Sequence, residues 1–276
     1  MKNAPYTVSR REAGLALVAF LAHRLDLSKK KAKALLDSRN VFVNARRVWM
    51  AHHELKLGDV VTAPGPTEPT RPESVPILFQ DDHYVIANKP PGILSDEKDS
   101  AESLLRDVLH LPALRAAHRL DRDTSGCLLL AKTPEAFDKA LELFSHRRIR
   151  KIYHAVVAGH VQPPERTIAL PIDGEPAVTH TRVLDASRAA THLAVKIETG
   201  RTHQIRRHLA TLGHPVLGDK TYATAIRVAP ECMGIARQML HAKSIDFVHP
   251  FTGRRVRAEA PLPGDFRAGL ARLKLT

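Results

Sequence analysis

The sequence predicts an α+β fold, in which a small N-terminal module precedes a larger domain built on a largely antiparallel, mixed sheet. Two observations carry this prediction. In the C-terminal two thirds, several strand-like segments follow one another without an intervening helix, which disfavours a doubly wound parallel sheet. A proline-rich segment at 64–76, PGPTEPTRPESVP, divides the 276 residues. We therefore expect domains at 7–63 and 77–276, joined by a linker at 64–76.

The N-terminal module is predicted to contain two short helices and a hairpin. Ser9 and Glu12 have the spacing of a capping box, and Ser28 is placed to cap a second helix. A short apolar strand, a turn and a further strand follow the second helix. The expected elements are helices over 10–24 and 29–38, a hairpin that turns at Asn44–Ala45, and a closing strand at 57–61.

The larger domain is predicted to mix strands with three helices. Thr133-Pro134 marks a helix start, because proline suits the first helical position. Alternation of apolar and polar residues predicts a strand over 151–159, with Tyr153 on its apolar face. The other expected strands lie at 77–79, 83–87, 127–131, 178–184, 191–198, 244–248 and 254–259, and the helices at 102–109, 133–146 and 203–212.

The charge of the chain is its most informative compositional feature. Lys plus Arg number 42 against 29 Asp plus Glu, which gives a net charge of +13. Such a basic chain is typical of proteins that bind a polyanion, with nucleic acid favoured over acidic small molecules, anionic membranes or simple solubility. The ten-residue apolar run at 13–22 is too short to cross a membrane, so no membrane partner is expected.

Cysteine and histidine usage predicts neither a disulfide framework nor a metal site. The chain has two cysteines, Cys127 and Cys232, and its 16 histidines show no metal-ligand spacing. Few cysteines without a framework are typical of a reducing compartment, so we expect a cytoplasmic protein.

Basic side chains concentrate in two stretches outside the sequence clusters described next. One covers the second helix and the hairpin, and the other precedes the strand at 151–159. The second helix carries lysines at its N-terminal end, where an anion can dock on free backbone N–H groups. A solvated basic face remains the alternative reading of both stretches. The residues expected to contact nucleic acid here are Lys29, Lys30 and Lys33 of the helix, Arg46 and Arg47 of the hairpin, and Arg147 and Arg148 before the strand at 151–159.

Two polar clusters carry the candidate chemistry. The first reads HRLDRDTSG at 118–126 and lies between a helix and a buried strand, where polar loops commonly carry catalytic groups. The second reads GRTHQIRRHL at 200–209 and joins a strand to a helix, which places arginines beside free backbone N–H groups. Arg206 of the second cluster is a candidate partner for a carboxylate of the first, and such a pair favours the ionised acid that a nucleophile needs.

Together these clusters resemble those of the RluA-type family of RNA pseudouridine synthases. The 118–126 segment is similar to the family's catalytic loop, and GRTHQIR at 200–206 matches a family motif without a change. Three supporting segments recur in the family's order: NKPPG at 88–92, HPVLGD at 214–219 with Tyr222, and LHA at 240–242 followed by FVHP at 247–250. The departures from the family pattern are the acidic stretch after Gly92 and Ala223 after Tyr222.

The resemblance implies specific roles for these residues. It makes Asp121 the catalytic carboxylate, Tyr153 the active-site tyrosine and Arg206 the partner of the carboxylate. Three routes remain open: attack by Asp121 at C1′ of the sugar, attack at C6 of the uracil, and promotion of a glycal intermediate. Further contacts with RNA are expected from His118, Arg119, Arg122, Thr124, Arg201, His203 and Gln204. No metal or other cofactor is implied.

The order of elements in the N-terminal module resembles the S4-type RNA-binding domain. Two short helices, a basic second helix, a Val-x-Val-Asn turn and a closing Gly-Asp strand follow the family pattern, with Ala45 where glycine is usual. An enzyme that isomerises uridines in structured RNA is therefore expected, acting on large-subunit ribosomal RNA or, as the other possibility, transfer RNA, and working as a monomer. The alternative is a non-catalytic RNA-binding or ribosome-assembly factor.

Overall fold

The structure, a computed structural model, describes residues 5–63, 74–223 and 229–276. Within these ranges the chain forms a four-stranded sheet from its N-terminal part and a ten-stranded sheet from the remainder. Residues 64–73 of the predicted linker lie outside the described residues, so that linker stays a prediction.

The N-terminal module packs two helices against a small antiparallel sheet. Its strands follow the order β1-β4-β2-β3, and the helices cover a core that includes Leu17, Phe20 and Leu36. The elements in chain order are β1 (Pro5–Thr7), α1 (Leu17–Arg24), α2 (Lys29–Asp37), β2 (Phe42–Val43), β3 (Arg46–Arg47) and β4 (Val60–Thr62).

The first helix begins later than the sequence predicted. The backbone N–H of Ser9 donates to the Glu12 carboxylate over 3.0 Å, so the expected polar pair forms, but it stabilises a turn. Gly14 then adopts a φ of +85°, and its N–H donates to the Leu55 carbonyl. Because an α-helix needs negative φ, this glycine separates the turn from α1.

The second helix and the hairpin form as predicted. The Ser28 hydroxyl accepts a hydrogen bond from the Lys31 backbone N–H over 3.2 Å and caps α2. At the hairpin turn, Asn44 and Ala45 have φ values of +49° and +64°. Two left-handed residues are the geometry of a type I′ turn, so alanine occupies a position that glycine usually fills.

The larger domain is a mixed sheet flanked by four helices. Its strands are β5 (Ile77–Gln80), β6 (Tyr84–Lys89), β7 (Arg115–Ala116), β8 (Ser125–Ala131), β9 (Arg150–Ala158), β10 (Glu165–Ile168), β11 (Thr179–Ala186), β12 (Ala190–Ile197), β13 (Leu240–Val248) and β14 (Arg255–Glu259). Its helices are α3 (Ala101–Leu109), α4 (Pro134–Ser145), α5 (Gln204–Thr211) and α6 (Gly264–Arg272). The short strands β7 and β10 and the helix α6 were not predicted.

The strand order is β10-β11-β12-β9-β13-β8-β6-β5, with β14 paired to β13 and β7 paired to β8. Among the described strands, β8 and β13 form a parallel pair and all other pairs are antiparallel. The predicted α+β class with a largely antiparallel mixed sheet is confirmed. In the described part of the chain, no helix has the length and apolar character to cross a membrane.

The parallel pair fixes the loop that carries the first polar cluster. Gly126 of β8 lies opposite Ala242 of β13 with a φ of +110°. A Cβ atom at this position would overlap the Ala242 carbonyl, so only glycine permits the close approach. The loop before β8 is thereby held beside the segment that precedes β13.

Candidate active site

Asp121 lies in the loop between β7 and β8, and its carboxylate meets the guanidinium of Arg206 from α5. The Arg206 Nη1 donates to Oδ2 of Asp121 over 2.8 Å. The Arg206 side chain is 7% exposed, whereas the Asp121 side chain is 26% exposed. The buried guanidinium of Arg206 thus holds one oxygen of the carboxylate, while the Asp121 side chain stays partly accessible to solvent.

A second carboxylate, that of Asp219, holds Arg206 in place. Arg206 donates from Nε to Oδ2 of Asp219 over 2.7 Å and from Nη2 to Oδ1 over 3.0 Å. Burial by itself raises the pKa of Asp219, but the hydrogen bonds and charge of Arg206 outweigh it and hold that pKa below its usual range. The pair is therefore ionised, and its two parallel bonds fix the orientation of the guanidinium.

Gln238 is the second donor to the same oxygen of Asp121. Its Nε2 donates to Oδ2 of Asp121 over 3.3 Å and to Oγ1 of Thr124 over 2.7 Å. The other oxygen, Oδ1, lies 3.8 Å from Nε2 of His203, which is beyond hydrogen-bond distance. Among the described residues, Oδ2 thus accepts two hydrogen bonds and Oδ1 accepts none.

Lys89 holds the loop that carries Asp121. Its side chain is fully buried, and its Nζ donates to the carbonyls of Pro90, Ile93 and Arg122 over 2.8–3.0 Å. Burial lowers the pKa of this ammonium to about 7. Because one acceptor is the residue after Asp121, Lys89 ties the loop to the end of β6.

Tyr153 lies on β9 and is 6% exposed. Burial, followed by the negative charge of Asp121, raises the pKa of its phenol well above its usual value. The hydroxyl has no hydrogen-bond partner among the described residues. A phenol that keeps its proton is a poor base, so this environment suits a ring that packs against a flat substrate.

His203 closes the site at the start of α5. It has a left-handed φ of +54°, and its Nδ1 lies 3.0 Å from the Tyr222 hydroxyl. Burial lowers the pKa of His203, so the ring is neutral near pH 7. The Tyr222 ring in turn lies 5.1 Å from the Arg206 guanidinium, within the range of a cation–π contact.

A group of residues elsewhere in the domain has the composition of a metal site: Asp81, His83 and His249. Nδ1 of His249, however, accepts hydrogen bonds from the backbone N–H groups of Phe251 and Thr252. The proton of a neutral ring then sits on Nε2, which faces Asp81 Oδ2 at 3.0 Å. A nitrogen that carries a proton cannot ligate a metal, so this group instead joins the turn between β5 and β6 to the turn after β13.

Comparison with known proteins identifies the family. A family model described as RNA pseudouridylate synthase matches residues 83–211, a range that includes Asp121, Tyr153 and Arg206. A ribosomal large subunit pseudouridine synthase D of Pseudomonas aeruginosa is 37% identical over 69% of each chain. An uncharacterized RNA pseudouridine synthase of Mycobacterium tuberculosis is 34% identical over 95% of each chain. The chain belongs to the RluA-type family of RNA pseudouridine synthases.

The solved structures agree with this assignment. Human RNA Pseudouridylate Synthase Domain Containing 4 matches with a TM-score of 0.62 and 25% identity, over 73% of this synthase and 94% of that chain. Human RNA Pseudouridylate Synthase Domain Containing 1 matches with a TM-score of 0.58 and 29% identity, over 71% and 86%. The synthase is thus an RNA-modifying isomerase, and the non-catalytic alternative is set aside.

Most of the residues predicted to contact RNA have exposed side chains. Those on the module are exposed along α2 and at the hairpin, and those of the larger domain surround the loop of Asp121 or follow α4. Three of them form ion pairs, since Arg119 lies 3.2 Å from Asp96, Arg201 lies 3.2 Å from Glu175, and Arg147 lies 3.4 Å from Glu198. The exposed residues are Lys29, Lys30, Lys33, Arg46, Arg119, Arg122, Arg147, Arg148 and Arg201.

Four other residues predicted to contact RNA form hydrogen bonds with groups of the synthase itself. The Leu129 N–H donates to Nε2 of His118, whose pKa burial lowers to about 3, so the ring is neutral. Thr124 accepts from Gln238, and the Gln204 amide bonds to Thr179, Val178 and Thr199. Arg47 is 7% exposed and donates to the Asp219 carbonyl. These contacts favour supporting roles for all four residues over direct RNA contact.

The sequence did not reveal three of the residues that hold Asp121 and its loop. Asp219 and Lys89 stood in family-like segments but carried no assigned role. Gln238 stood in no motif. Each acts through a partner more than ten positions away in the chain, so no local pattern marks it.

Proposed function

We propose that this synthase converts a uridine of large-subunit ribosomal RNA into pseudouridine, with Asp121 as the nucleophile. The observation that carries the proposal is the asymmetry of the Asp121 carboxylate. Arg206 and Gln238 hold Oδ2, and Oδ1 faces no donor within hydrogen-bond distance among the described residues. An oriented carboxylate oxygen without a hydrogen bond retains its nucleophilicity.

The reaction exchanges one bond of the nucleotide for another. The target uridine first leaves its stack, because its base cannot rotate inside a helix. Oδ1 then attacks C1′ or C6, the bond between C1′ and N1 breaks, and the uracil turns. A new bond then forms between C1′ and C5, and the bond from Oδ1 to C1′ or C6 breaks, which returns the Asp121 carboxylate. The C5 proton is lost, and N1 gains a proton. Tyr153 packs against the turning base, and Arg206 holds the Asp121 side chain in place.

The relatives and the basic surface support ribosomal RNA as the target. Relatives named ribosomal large subunit pseudouridine synthase D include one of Escherichia coli that is 31% identical over 94% of this chain. The exposed lysines of α2 and the hairpin arginine Arg46 supply a positive surface suited to folded RNA. We infer that the N-terminal module serves as an S4-type RNA-binding domain, and that the synthase acts as a monomer in the cytoplasm.

The choice of RNA can be tested by tritium release. Transcripts of large-subunit ribosomal RNA and of transfer RNA, each labelled with tritium at uracil C5, are incubated separately with the purified synthase. We expect release from the ribosomal transcript. Release from transfer RNA alone would move the proposed target to that class, and no release from either RNA would contradict the proposed activity.

Lys151 is expected to make RNA binding depend on pH. Lys151 precedes Tyr153 by two residues on β9, so the two side chains lie on the same face of the strand. Its ammonium lies 5.2 Å from the centre of the Phe144 ring. Within the described residues it forms no hydrogen bond or ion pair. Burial lowers the pKa of Lys151 to about 8. Because the charged form is the one lost as pH rises, RNA affinity should fall about tenfold between pH 7 and pH 9, as expected for one charge-assisted bond.

The matched variant for this prediction is Lys151→Arg, whose guanidinium stays charged over the same range. Dissociation constants are measured by filter binding at fixed salt with one RNA for both proteins. The variant should keep its affinity up to pH 9. An equal decline in both proteins would show that another group is responsible.

A further inference from the structure

The N-terminal module contacts the larger domain at the two segments that hold Asp121. One segment is 219–222, whose Asp219 carboxylate anchors Arg206, and the other is 236–238, which supplies Gln238. Arg206 and Gln238 are the two donors to Oδ2 of Asp121. The module therefore contacts both segments of the larger domain that hold the donors to Asp121.

Three side chains of the module make these contacts. Arg47 of β3 donates from Nη1 to the Asp219 carbonyl. Arg39 donates from Nη1 to the Lys220 carbonyl over 3.0 Å, and Asn40 donates from Nδ2 to the Ala236 carbonyl over 2.7 Å. All three acceptors are backbone carbonyls, so the contacts fix the path of the chain in both segments.

The geometry of this interface is that of a packed interior. Arg47 and Asn40 are 7% and 5% exposed, although they belong to a module whose other basic side chains largely face solvent. The two segments also pack on each other, because a Cβ atom added to Gly218 would overlap the Arg237 carbonyl. A shift of either segment would thus be transmitted to the other.

We propose that Arg47 and Asn40 are positioning residues for the catalytic carboxylate, so that the N-terminal module sets the rate of the chemical step and does not only bind RNA. This inference rests on the proposed roles of Asp121 and Arg206. The chain of contacts runs from Arg47 to the Asp219 backbone, from the Asp219 carboxylate to Arg206, and from Arg206 to Asp121. Small displacements of a reacting group are costly, since about 1 Å can lower a rate about a hundredfold.

The test separates binding from chemistry in the full-length synthase. Single-turnover rates at saturating RNA and dissociation constants are measured for wild type, Arg47→Ala, Arg47→Lys, Asn40→Ala and Asp121→Asn. Arg47→Ala and Asn40→Ala should each lower the saturating rate about tenfold or more, with dissociation constants within about threefold of wild type. Arg47→Lys should recover most of the rate, because an ammonium also donates to the Asp219 carbonyl.

Lys56→Ala is the matched control, because it removes one exposed positive charge from the same module. Its saturating rate should equal that of wild type. Thermal melting shows which variants are folded; if Arg47→Ala unfolds, Arg47→Lys and Asn40→Ala decide the question.

The rates of the module variants and of Asp121→Asn distinguish a failure of the positioning role from a failure of the proposed function. Wild-type saturating rates in the Arg47 and Asn40 variants, with Asp121→Asn inactive, would overturn the positioning role and leave the proposed function intact. A wild-type rate in Asp121→Asn would overturn the proposed function and, with it, the inference that depends on it.

Discussion

Replacing Asp121 with asparagine is expected to lower the rate of pseudouridine formation by at least about 10⁴-fold, as for the loss of other enzymatic nucleophiles. Asparagine keeps the shape of the side chain but lacks the negative charge that Oδ1 needs to attack carbon. RNA affinity should stay within about threefold of wild type, because the exposed basic residues that we propose to bind RNA are unchanged. Single-turnover kinetics and filter binding with the same RNA measure the two quantities.

The matched control is Asp123→Asn, which removes a carboxylate from the same loop. The side chain of Asp123 forms neither a hydrogen bond nor an ion pair within the described part of the chain. Its variant should therefore keep its rate within about tenfold of wild type. Equal losses in the two variants would point to the charge of the loop as a whole, and not to Asp121, as the source of activity.

Replacing Arg206 with methionine is expected to damage both stability and activity. The variant leaves the Asp219 carboxylate buried without its cationic partner. The Asp219 side chain is 0% exposed, and its carboxylate accepts two hydrogen bonds from Arg206. Removing one partner of a buried ion pair costs about 3–5 kcal/mol in the free energy of unfolding. The rate should also fall at least about a hundredfold, because Asp121 loses its main donor.

A double-mutant cycle separates these two effects. In an Asp219→Asn background no buried charge remains to be stranded, so Arg206→Met should cost clearly less in the free energy of unfolding than it does alone. Denaturant titration measures all four proteins. Equal stability losses in both backgrounds would show that the penalty comes from lost packing and not from the unpaired carboxylate.

Much of the fold could be predicted because strand alternation and helix caps are local signals. The segments around Tyr153 and the capped helices α2 and α4 formed where the sequence placed them. The start of α1 could not be predicted from its capping pattern, because the conformation of Gly14 depends on a bond to Leu55, forty-one residues away. The short strand β10 gains its stability from pairing with β11, which its own sequence does not reveal.

The candidate site was predictable where the chemistry is concentrated in contiguous motifs. Asp121 and Arg206 were identified from two such motifs, and the structure brings them to 2.8 Å. The supports around them were not predictable, since Gln238 and Asp219 are defined only by long-range packing. Arg46 and Arg47 illustrate a signal that was present but unused: neighbours on a strand point to opposite faces, so a single one of the two can face solvent.

A structure of the Asp121→Asn variant bound to its substrate RNA would show whether Asp121 is placed to act as the nucleophile. We predict a uridine flipped into the cleft, with its ring against Tyr153 and with C1′ or C6 about 3–3.5 Å from the side-chain atom that replaces Oδ1. The other side-chain atom should remain beside Arg206 and Gln238. A target uridine that lies outside this cleft, or one whose C1′ and C6 both lie far from residue 121, would contradict the assignment of Asp121 as the nucleophile.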